Sequence, residues 1–358
     1  MVIQTPHNLN LLFQYACEYQ FDAFSRLFHE LESGAPAEAF WEAFLMLAQI
    51  KLYAADHTIL SDLERISRFD GPPQFPHLGS IWQADAPNRF AVFSTTPGAV
   101  RSFIDALPDV RRHFSRWYGE PGDITVRQVQ SEFHYYLCNT RQALDLAEQT
   151  HASAQKSATD AFLAECMRFR CYLALGVPQQ AEASMLGVVR LAKAHPEFLT
   201  AYHTFREWAN LTTNWNGDMP RFQEAPCGGK IPVLEYRLNS IRVGIAQSTP
   251  LETPFLQYVA LSDAHAYTLR KYYMDLFHAM YWFQEGDLQQ TEAYFRKAFQ
   301  MALDTDFGMA FVEYGEQITP LLQHAKKAGW GSAHWLDTII SRAAEYEKSL
   351  SAYNESES

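Results

Sequence analysis

The feature that most constrains this chain is a repeated spacing of small and bulky residues around a turn. One copy, 162–196, turns at Gly176, and another, 272–304, turns at Gly286. In both, a small residue follows the turn glycine by five positions, a bulky residue lies four further on, and an apolar residue three after that. These triplets are Ala181, Met185 and Val188 in the first copy and Thr291, Phe295 and Ala298 in the second. A small residue lets two helices approach closely and a bulky one fills the gap beside it, so the spacing predicts paired helices.

Further copies extend this pattern along the chain. A third has its turn near Cys138 and continues with Ala143, Ala147 and Thr150. Additional turns at Gly217 and Ser248 give turn-to-turn spacings between 31 and 41 residues. A near-regular period of this length is typical of tetratricopeptide-like repeats. The sequence therefore predicts an all-α fold, a right-handed superhelix of antiparallel helix pairs that forms an α-solenoid.

Prolines and glycines divide the chain into four parts. Residues 1–69 are predicted to form degenerate N-terminal helical repeats, with helices at 21–31, 36–54 and 58–69. Residues 70–90 are predicted to form a loop or linker, and 91–306 to hold the tetratricopeptide-like repeats, with a break at 119–122. Along the whole chain, 89–93 is the one stretch that resembles a short strand. Residues 307–358 contain the closing helices, 307–328 and 333–353, and a tail. One continuous solenoid is the alternative organisation.

The amino-acid composition limits the kinds of molecule that this chain is expected to bind. The formal net charge is −12, from 41 acidic against 29 basic residues, and an acidic surface repels phosphate backbones. We therefore expect no direct binding of nucleic acid. The five cysteines show no paired metal-ligand spacing, which fits free thiols in a reducing compartment. No apolar run is long enough to span a bilayer, so the expected location is the cytoplasm, without membrane contact.

Three segments resemble one known family. Residues 133–147 and 281–293 resemble repeats of the MalT-type, ATP-dependent LuxR transcription regulators, and 308–322 is similar to the last helix of their sensor region. The resemblance implies an effector-sensing and protein-interaction superhelix, with a small-molecule or peptide effector, a protein partner, or both, and with self-association on activation. The ATPase and DNA-binding activities of that family are not carried over, because no phosphate-loop pattern and no basic recognition helix occur here.

Catalytic motifs are not evident. The histidines lack the HExxH spacing of zinc proteases, and no nucleophile elbow occurs. Glu313 and Glu316 would share a helix face, which we interpret as a solvated acidic face or a helix cap. The chain is therefore expected to be non-enzymatic, with no cofactor and no metal. A free-standing peptide or protein receptor, and an enzyme on an α/α scaffold, remain as alternatives.

Candidate binding residues follow from the register of the first helix in each pair, whose inner side should line the concave face. Seven aromatic residues within 267–283 add platforms that suit sugars, peptides or flat ligands, although packing between repeats accounts for most of them. On these helices the predicted binding residues are Gln128, Glu132, Tyr135, Arg170, Tyr273, Met280 and Phe283, and Cys166 is predicted to share the inner face of Arg170. Arg237 and Arg242, on the helix between, are predicted to point the same way.

Overall fold

The computed structural model describes residues 5–18, 20–33, 40–69, 71–81, 88–89, 93–154, 157–213, 238–245 and 268–357. Every regular element within these ranges is helical, and they contain no strand, so the predicted all-α class is confirmed there. The α-helices are α1 (Thr5–Cys17), α2 (Phe21–Glu32), α3 (Trp41–Tyr53), α4 (Ile59–Arg65), α5 (Leu78–Ile81), α6 (Ala99–Tyr118), α7 (Glu120–Tyr136), α8 (Thr140–Ser153), α9 (Ala158–Ala174), α10 (Pro178–Ala194), α11 (Leu199–Thr213), α12 (238–245), α13 (Thr268–Glu285), α14 (Leu288–Thr305), α15 (Met309–Val312), α16 (Gly315–Ala328) and α17 (Ala333–Glu357).

The N-terminal helices bury the apolar faces that their spacing predicts. In α2, Phe24, Phe28 and Leu31 are all buried, and the Phe28 ring meets the Phe44 ring of α3 edge-on at 5.0 Å. The predicted helix 58–69 is wrong at its end, since α4 stops at Arg65. Beyond it the chain continues in tight turns, which place the Phe69 ring 6.2 Å from that of Trp41.

Two polar residues interrupt the apolar run of α3, and their side chains form hydrogen bonds with the loop at 71–81. The Glu42 carboxylate accepts hydrogen bonds from the backbone N–H groups of Gln74 and Phe75, at 2.9 and 3.2 Å. The Gln49 side chain accepts from the Leu78 N–H at 2.7 Å and donates to the Tyr118 hydroxyl at 2.9 Å. Buried backbone donors need partners, so these side chains stabilise the loop. The loop also contains the short helix α5.

The predicted break at 119–122 is shorter than expected. Only Gly119, with φ +63°, separates α6 from α7, and Pro121 lies in the first turn of α7, where its missing N–H is no loss. Gly122 lies so close to α6 that an added Cβ would be 2.5 Å from the carbonyl oxygen of Phe114. Glycine is therefore required there by the close contact between the two helices.

The predicted pairs are present as adjacent helices: α7 with α8, α9 with α10, and α13 with α14. Their turns lie at Cys138, Gly176 and Gly286, as expected from the sequence, and the structure gives all three residues a positive φ. The nine small and bulky repeat positions are each at most 2% exposed: Ala143, Ala147, Thr150, Ala181, Met185, Val188, Thr291, Phe295 and Ala298. The predicted turns at Gly217 and Ser248 lie outside the described residues.

The closing helices differ from the prediction in one respect that matters for the site. Instead of one helix over 307–328, α15 ends at Val312 and α16 begins at Gly315, so Glu313 and Tyr314 lie between two helices. The last helix, α17, runs to Glu357 and packs on α9, α10 and α11 as well as on α16. At this contact the rings of Phe169 and Tyr353 are 6.1 Å apart. The C-terminal helices thus return onto the middle pairs.

Candidate functional site

Helix α7, predicted to line an open concave face, is instead buried on nearly all sides. Between Ile124 and Tyr136 all but one residue are buried. The predicted binding residues Gln128, Glu132 and Tyr135 are each 0% exposed. Whether they bind a ligand stays a prediction, but in this structure each of them contacts the chain itself.

Glu132 and Gln128 hold the loop that precedes α6. The two carboxylate oxygens of Glu132 accept from the backbone N–H of Arg89, at 3.0 and 2.8 Å, and Gln128 donates to Glu132 at 2.9 Å. The Arg89 guanidinium forms a buried ion pair with Asp160 of α9 at 2.9 Å. Because breaking a buried pair is costly, this cluster stabilises the packing of residue 89 between α7 and α9.

Tyr135 belongs to a second cluster, centred on Glu313. The hydroxyls of Tyr135 and Tyr273 donate to the two carboxylate oxygens of Glu313, at 2.6 and 3.0 Å. Burial raises the pKa of each tyrosine well above its ordinary value, and the charge of Glu313 raises it further. Both hydroxyls therefore stay protonated and remain hydrogen-bond donors.

Arg170 lies beside that cluster. Its Nη1 donates to Asn88 Oδ1 at 2.8 Å and to the Tyr136 hydroxyl at 3.4 Å, and its guanidinium lies 4.6 Å from the centre of the Trp208 ring. Burial by itself would lower the pKa of Arg170, but Tyr136 and Glu313 outweigh it and hold the pKa above its usual range. The side chain is therefore a buried, permanently charged cation.

A second buried guanidinium, that of Arg242, comes from α12. It donates to Thr212 Oγ1 at 2.9 Å and lies 4.7 Å from the centre of the Tyr314 ring. A third, that of Arg270 in α13, is 1% exposed. Arginine is the cation best suited to stacking on aromatic rings and to paired hydrogen bonds with carboxylates. Among the described residues, the buried centre thus places arginine cations beside aromatic rings.

Arg170 and Arg270 line a cavity of about 30 Å³. Its lining is contributed by residues before α6, at the end of α7, in α9, α11, α12 and α13, and between α15 and α16. The polar lining residues are Asn88, Tyr136, Arg170, Asn239, Arg270, Tyr273 and Tyr314, and the apolar ones are Trp208, Leu238, Leu269 and Phe277. Since a water needs about 10 to 15 Å³ of such space, the cavity has room for a small polar group.

The remaining predicted binding residues lie apart from this cavity. Met280 and Cys166 are buried in the core, and Phe283 is half-buried with its ring 5.5 Å from that of His324. Arg237 lies outside the described residues. Among the aromatics of 267–283, Tyr272 and Phe277 are buried in the core, in line with packing between helices.

The sequence did not identify Asn88, Tyr136, Arg270 and Glu313 as part of this site. The interpretation of Glu313 as a solvated residue was wrong: it is 1% exposed, whereas Glu316 is exposed. The two share no helix face, because Glu313 precedes the positive φ (+45°) of Gly315, where α16 starts. The sequence feature that could have indicated this break is the tyrosine–glycine pair at 314–315.

Within the described part of the chain, no group of three or more His, Cys, Asp or Glu side chains is arranged to hold a metal ion. Over the same residues, no helix combines the length and the hydrophobicity needed to cross a membrane. What the arrangement offers chemically is recognition: fixed cations, hydroxyl and amide groups, and aromatic faces around a small cavity.

The fold and this centre define an all-helical protein of adjacent helix pairs built around a buried polar cavity. No protein-family model matches the chain, and comparison with curated proteins gives no match either.

Proposed function

We propose that this chain is a non-catalytic, tetratricopeptide-like binding scaffold whose helix pairs wind into a right-handed superhelix. We propose further that it acts in the cytoplasm as the effector-sensing and protein-interaction region of a LuxR-family regulator of the MalT type. The family assignment is supported by the resemblance of residues 133–147, 281–293 and 308–322. The acidic net charge of −12 argues against direct contact with nucleic acid.

One observation carries the sensing role. The cavity is lined by side chains from five helices, among them Tyr136, Arg170, Trp208 and Tyr273, which are far apart in sequence. A ligand held there would contact all of these helices at once. Its binding would favour whichever arrangement of the helices brings the lining residues together, which is how an effector shifts a conformational equilibrium.

A receptor that binds long peptides along an open concave surface is less well supported. Such a surface requires accessible first helices, but α7 is buried on nearly all sides and α9 is mostly buried. Self-association and a protein partner follow from the family resemblance and stay predictions. The absence of catalysis also stays a prediction.

A thermal-shift screen of the purified chain tests the proposal, using sugars, nucleotides, short peptides, organic acids and small aromatics. A ligand that binds only the folded state stabilises it by about 2.7 kcal/mol at a hundredfold excess over its dissociation constant. We expect the response to a true effector to be lost in Tyr273→Ala, which alters the cavity lining. It should be kept in the control Tyr281→Ala, a half-buried tyrosine of the same helix outside the lining.

A screen in which no compound class shifts the melting temperature would refute the effector-sensing role. A response that Tyr273→Ala and Tyr281→Ala reduce equally would place the binding site elsewhere on the scaffold.

A further inference from the structure

A surface pocket of about 230 Å³ lies where the C-terminal helices return onto the helix pairs. The turns after α7 and α9 form one side of it, through Cys138 and Leu175, and α15 and α17 form the other side. It is separate from the cavity around Arg170, because the two share no described lining residue. A molecule bound in this pocket would therefore contact two helix pairs and the C-terminal helices at the same time.

Two arginines from different helices reach this pocket, Arg141 from α8 and Arg342 from α17, and both are exposed. Among the described residues, neither guanidinium forms an ion pair. The described lining contains one carboxylate, that of Glu345, which is also exposed. Two cations thus face a single anion that is paired with neither of them.

The immediate surroundings of the two arginines do not offset this positive charge. Burial raises the pKa of the Cys138 thiol to about 11, although the neighbouring Arg342 lowers it in part, so the thiol is uncharged at neutral pH. Arg141 lies in the first turn of α8, which contains no acidic residue and where the helix dipole disfavours a cation. An anion in the pocket would therefore stabilise both arginines.

The net charge of −12 does not prevent an anion from binding here. At physiological ionic strength the Debye length is about 8 Å, so exposed charges farther away than that are largely screened. The buried carboxylate of Glu313 lies outside the lining and acts on Arg170. The local attraction is therefore determined by the lining itself, in which two cations outnumber one carboxylate.

The arrangement of the two arginines favours a phosphate monoester over a carboxylate. A carboxylate has two coplanar oxygens, which a single guanidinium binds as a pair, whereas a phosphate monoester has three terminal oxygens and nearly two negative charges at neutral pH. Guanidiniums on two sides of a pocket can therefore bind one phosphate together. Thr140, also in the lining, has a hydroxyl that can donate a further hydrogen bond.

The rest of the lining suits the organic part of a small molecule. Leu175, Met309 and Val312 provide apolar contact beside the charged groups. The volume of about 230 Å³ is below the roughly 300 to 1,000 Å³ of pockets that hold drug-sized ligands. The pocket therefore selects a compact ligand.

We propose that this pocket binds a small organic phosphate monoester, with Arg141 and Arg342 binding the phosphate and the apolar residues contacting the organic part. The proposal goes beyond the sensing role of the buried cavity and does not depend on it, because the two sites are separate. A bound ligand would hold the C-terminal helices against the helix pairs and so stabilise the folded chain.

The test is isothermal titration calorimetry of the full chain with phenyl phosphate at pH 8, where the phosphate is doubly charged. At equal ionic strength, phenol is the neutral control, benzoate is the carboxylate control, and inorganic phosphate tests the ion alone. We expect phenyl phosphate to bind roughly tenfold more tightly than benzoate or inorganic phosphate, and phenol not to bind. The affinity should fall as sodium chloride is added.

Three variants locate the site. Arg141→Gln, at an exposed position, should weaken the binding of phenyl phosphate roughly 10- to 100-fold, because a charge-assisted hydrogen bond is lost. Glu345→Gln removes the competing carboxylate and should strengthen binding by roughly two- to fivefold. Arg112→Gln is the matched control: its side chain is 74% exposed and lies outside the pocket, so the affinity should stay unchanged.

Undiminished binding in Arg141→Gln would overturn the proposal, and so would the absence of any binding of phenyl phosphate. Equal affinity for phenyl phosphate and benzoate would refute the phosphate, and equal affinity for phenyl phosphate and inorganic phosphate would refute the organic part. An effector response that is lost in Tyr273→Ala but kept in Arg141→Gln belongs to the buried cavity, so failure of this proposal and failure of the sensing role are distinguishable.

Discussion

The hydroxyl of Tyr135 donates a hydrogen bond of 2.6 Å to Glu313, across a separation of 178 residues in the sequence. Tyr135 is near the end of α7, and Glu313 lies in the break between α15 and α16. The same carboxylate accepts from Tyr273 of α13. One buried charge therefore joins the middle of the chain to its C-terminal helices, and replacing it tests how strongly these parts depend on each other.

Glu313→Gln should destabilise the protein by about 2 to 4 kcal/mol, because an amide cannot accept from both tyrosine hydroxyls and leaves the nearby arginines without their counter-charge. Urea unfolding at pH 7 measures the change. Glu316→Gln is the matched control, since its side chain is exposed, and it should change stability by less than about 0.5 kcal/mol. Equal effects would show that Glu313 has no special role.

The buried ion pair between Arg89 and Asp160 should contribute far more than an exposed one. Asp160→Asn removes the carboxylate that pairs with the buried Arg89 guanidinium and is expected to cost about 3 kcal/mol in unfolding free energy. The comparison is Asp306→Asn, which breaks a surface pair with Arg101 and should cost less than about 1 kcal/mol. Asparagine tolerates the positive φ of position 306. Chemical denaturation measures the unfolding free energy of both variants. A small loss of stability in Asp160→Asn would contradict the expectation.

The repeat pattern makes a separate prediction about packing. Ala181→Leu adds volume at a fully buried position where α10 packs on α9, so it should destabilise by about 1 to 3 kcal/mol. Ala183→Leu, on the exposed side of the same helix, should be nearly neutral, because leucine is a good helix former. The melting temperature of each variant measures the effect. Similar decreases in both variants would mean that residue 181 is not a position of close contact between the helices.

Stability should depend on pH through Glu207. Burial raises the pKa of this carboxyl from 4.5 to about 7. The folded state therefore retains a proton that the unfolded chain releases, and stability falls as the pH rises from about 4.5 to about 7, by at most about 1.4 kcal/mol per pH unit. Glu207→Gln removes this penalty, so the variant should gain roughly 2 kcal/mol relative to wild type between pH 5 and pH 8.

Unfolding curves at both pH values measure that gain. The exposed Glu182→Gln serves as control and should follow the wild-type pH dependence. A constant difference between Glu207→Gln and wild type across the range would show that Glu207 ionises alike in the folded and unfolded states.

Periodic features were predictable from the sequence, because each repeat copy carries its own local signal. The turn at Gly176 and the buried positions Ala181 and Met185 were placed correctly, since a helix pair buries the same positions wherever it occurs. For the same reason the all-helical class could be inferred without knowing how the pairs meet.

The site was less predictable because its parts meet only in three dimensions. Tyr135, Arg170 and Tyr273 were chosen by register and do lie at the buried centre. Asn88 belongs to a loop without periodicity, so no spacing rule indicates that it lies beside Arg170. Glu313 was assigned to a solvated helix face because the break before Gly315 was missed, and a spacing of three residues has meaning only within one helix.

The return of the last helices onto the middle pairs also has a consequence for synthesis. In a simple repeat array each pair contacts only its neighbours and can fold as it leaves the ribosome. Here Tyr135 emerges 178 residues before Glu313. At about 5 to 20 residues per second, that interval is roughly 10 to 35 s. Until then the nascent chain carries the inner side of α7 without its final contacts, so this part of the core forms only after the C-terminal helices have been synthesised.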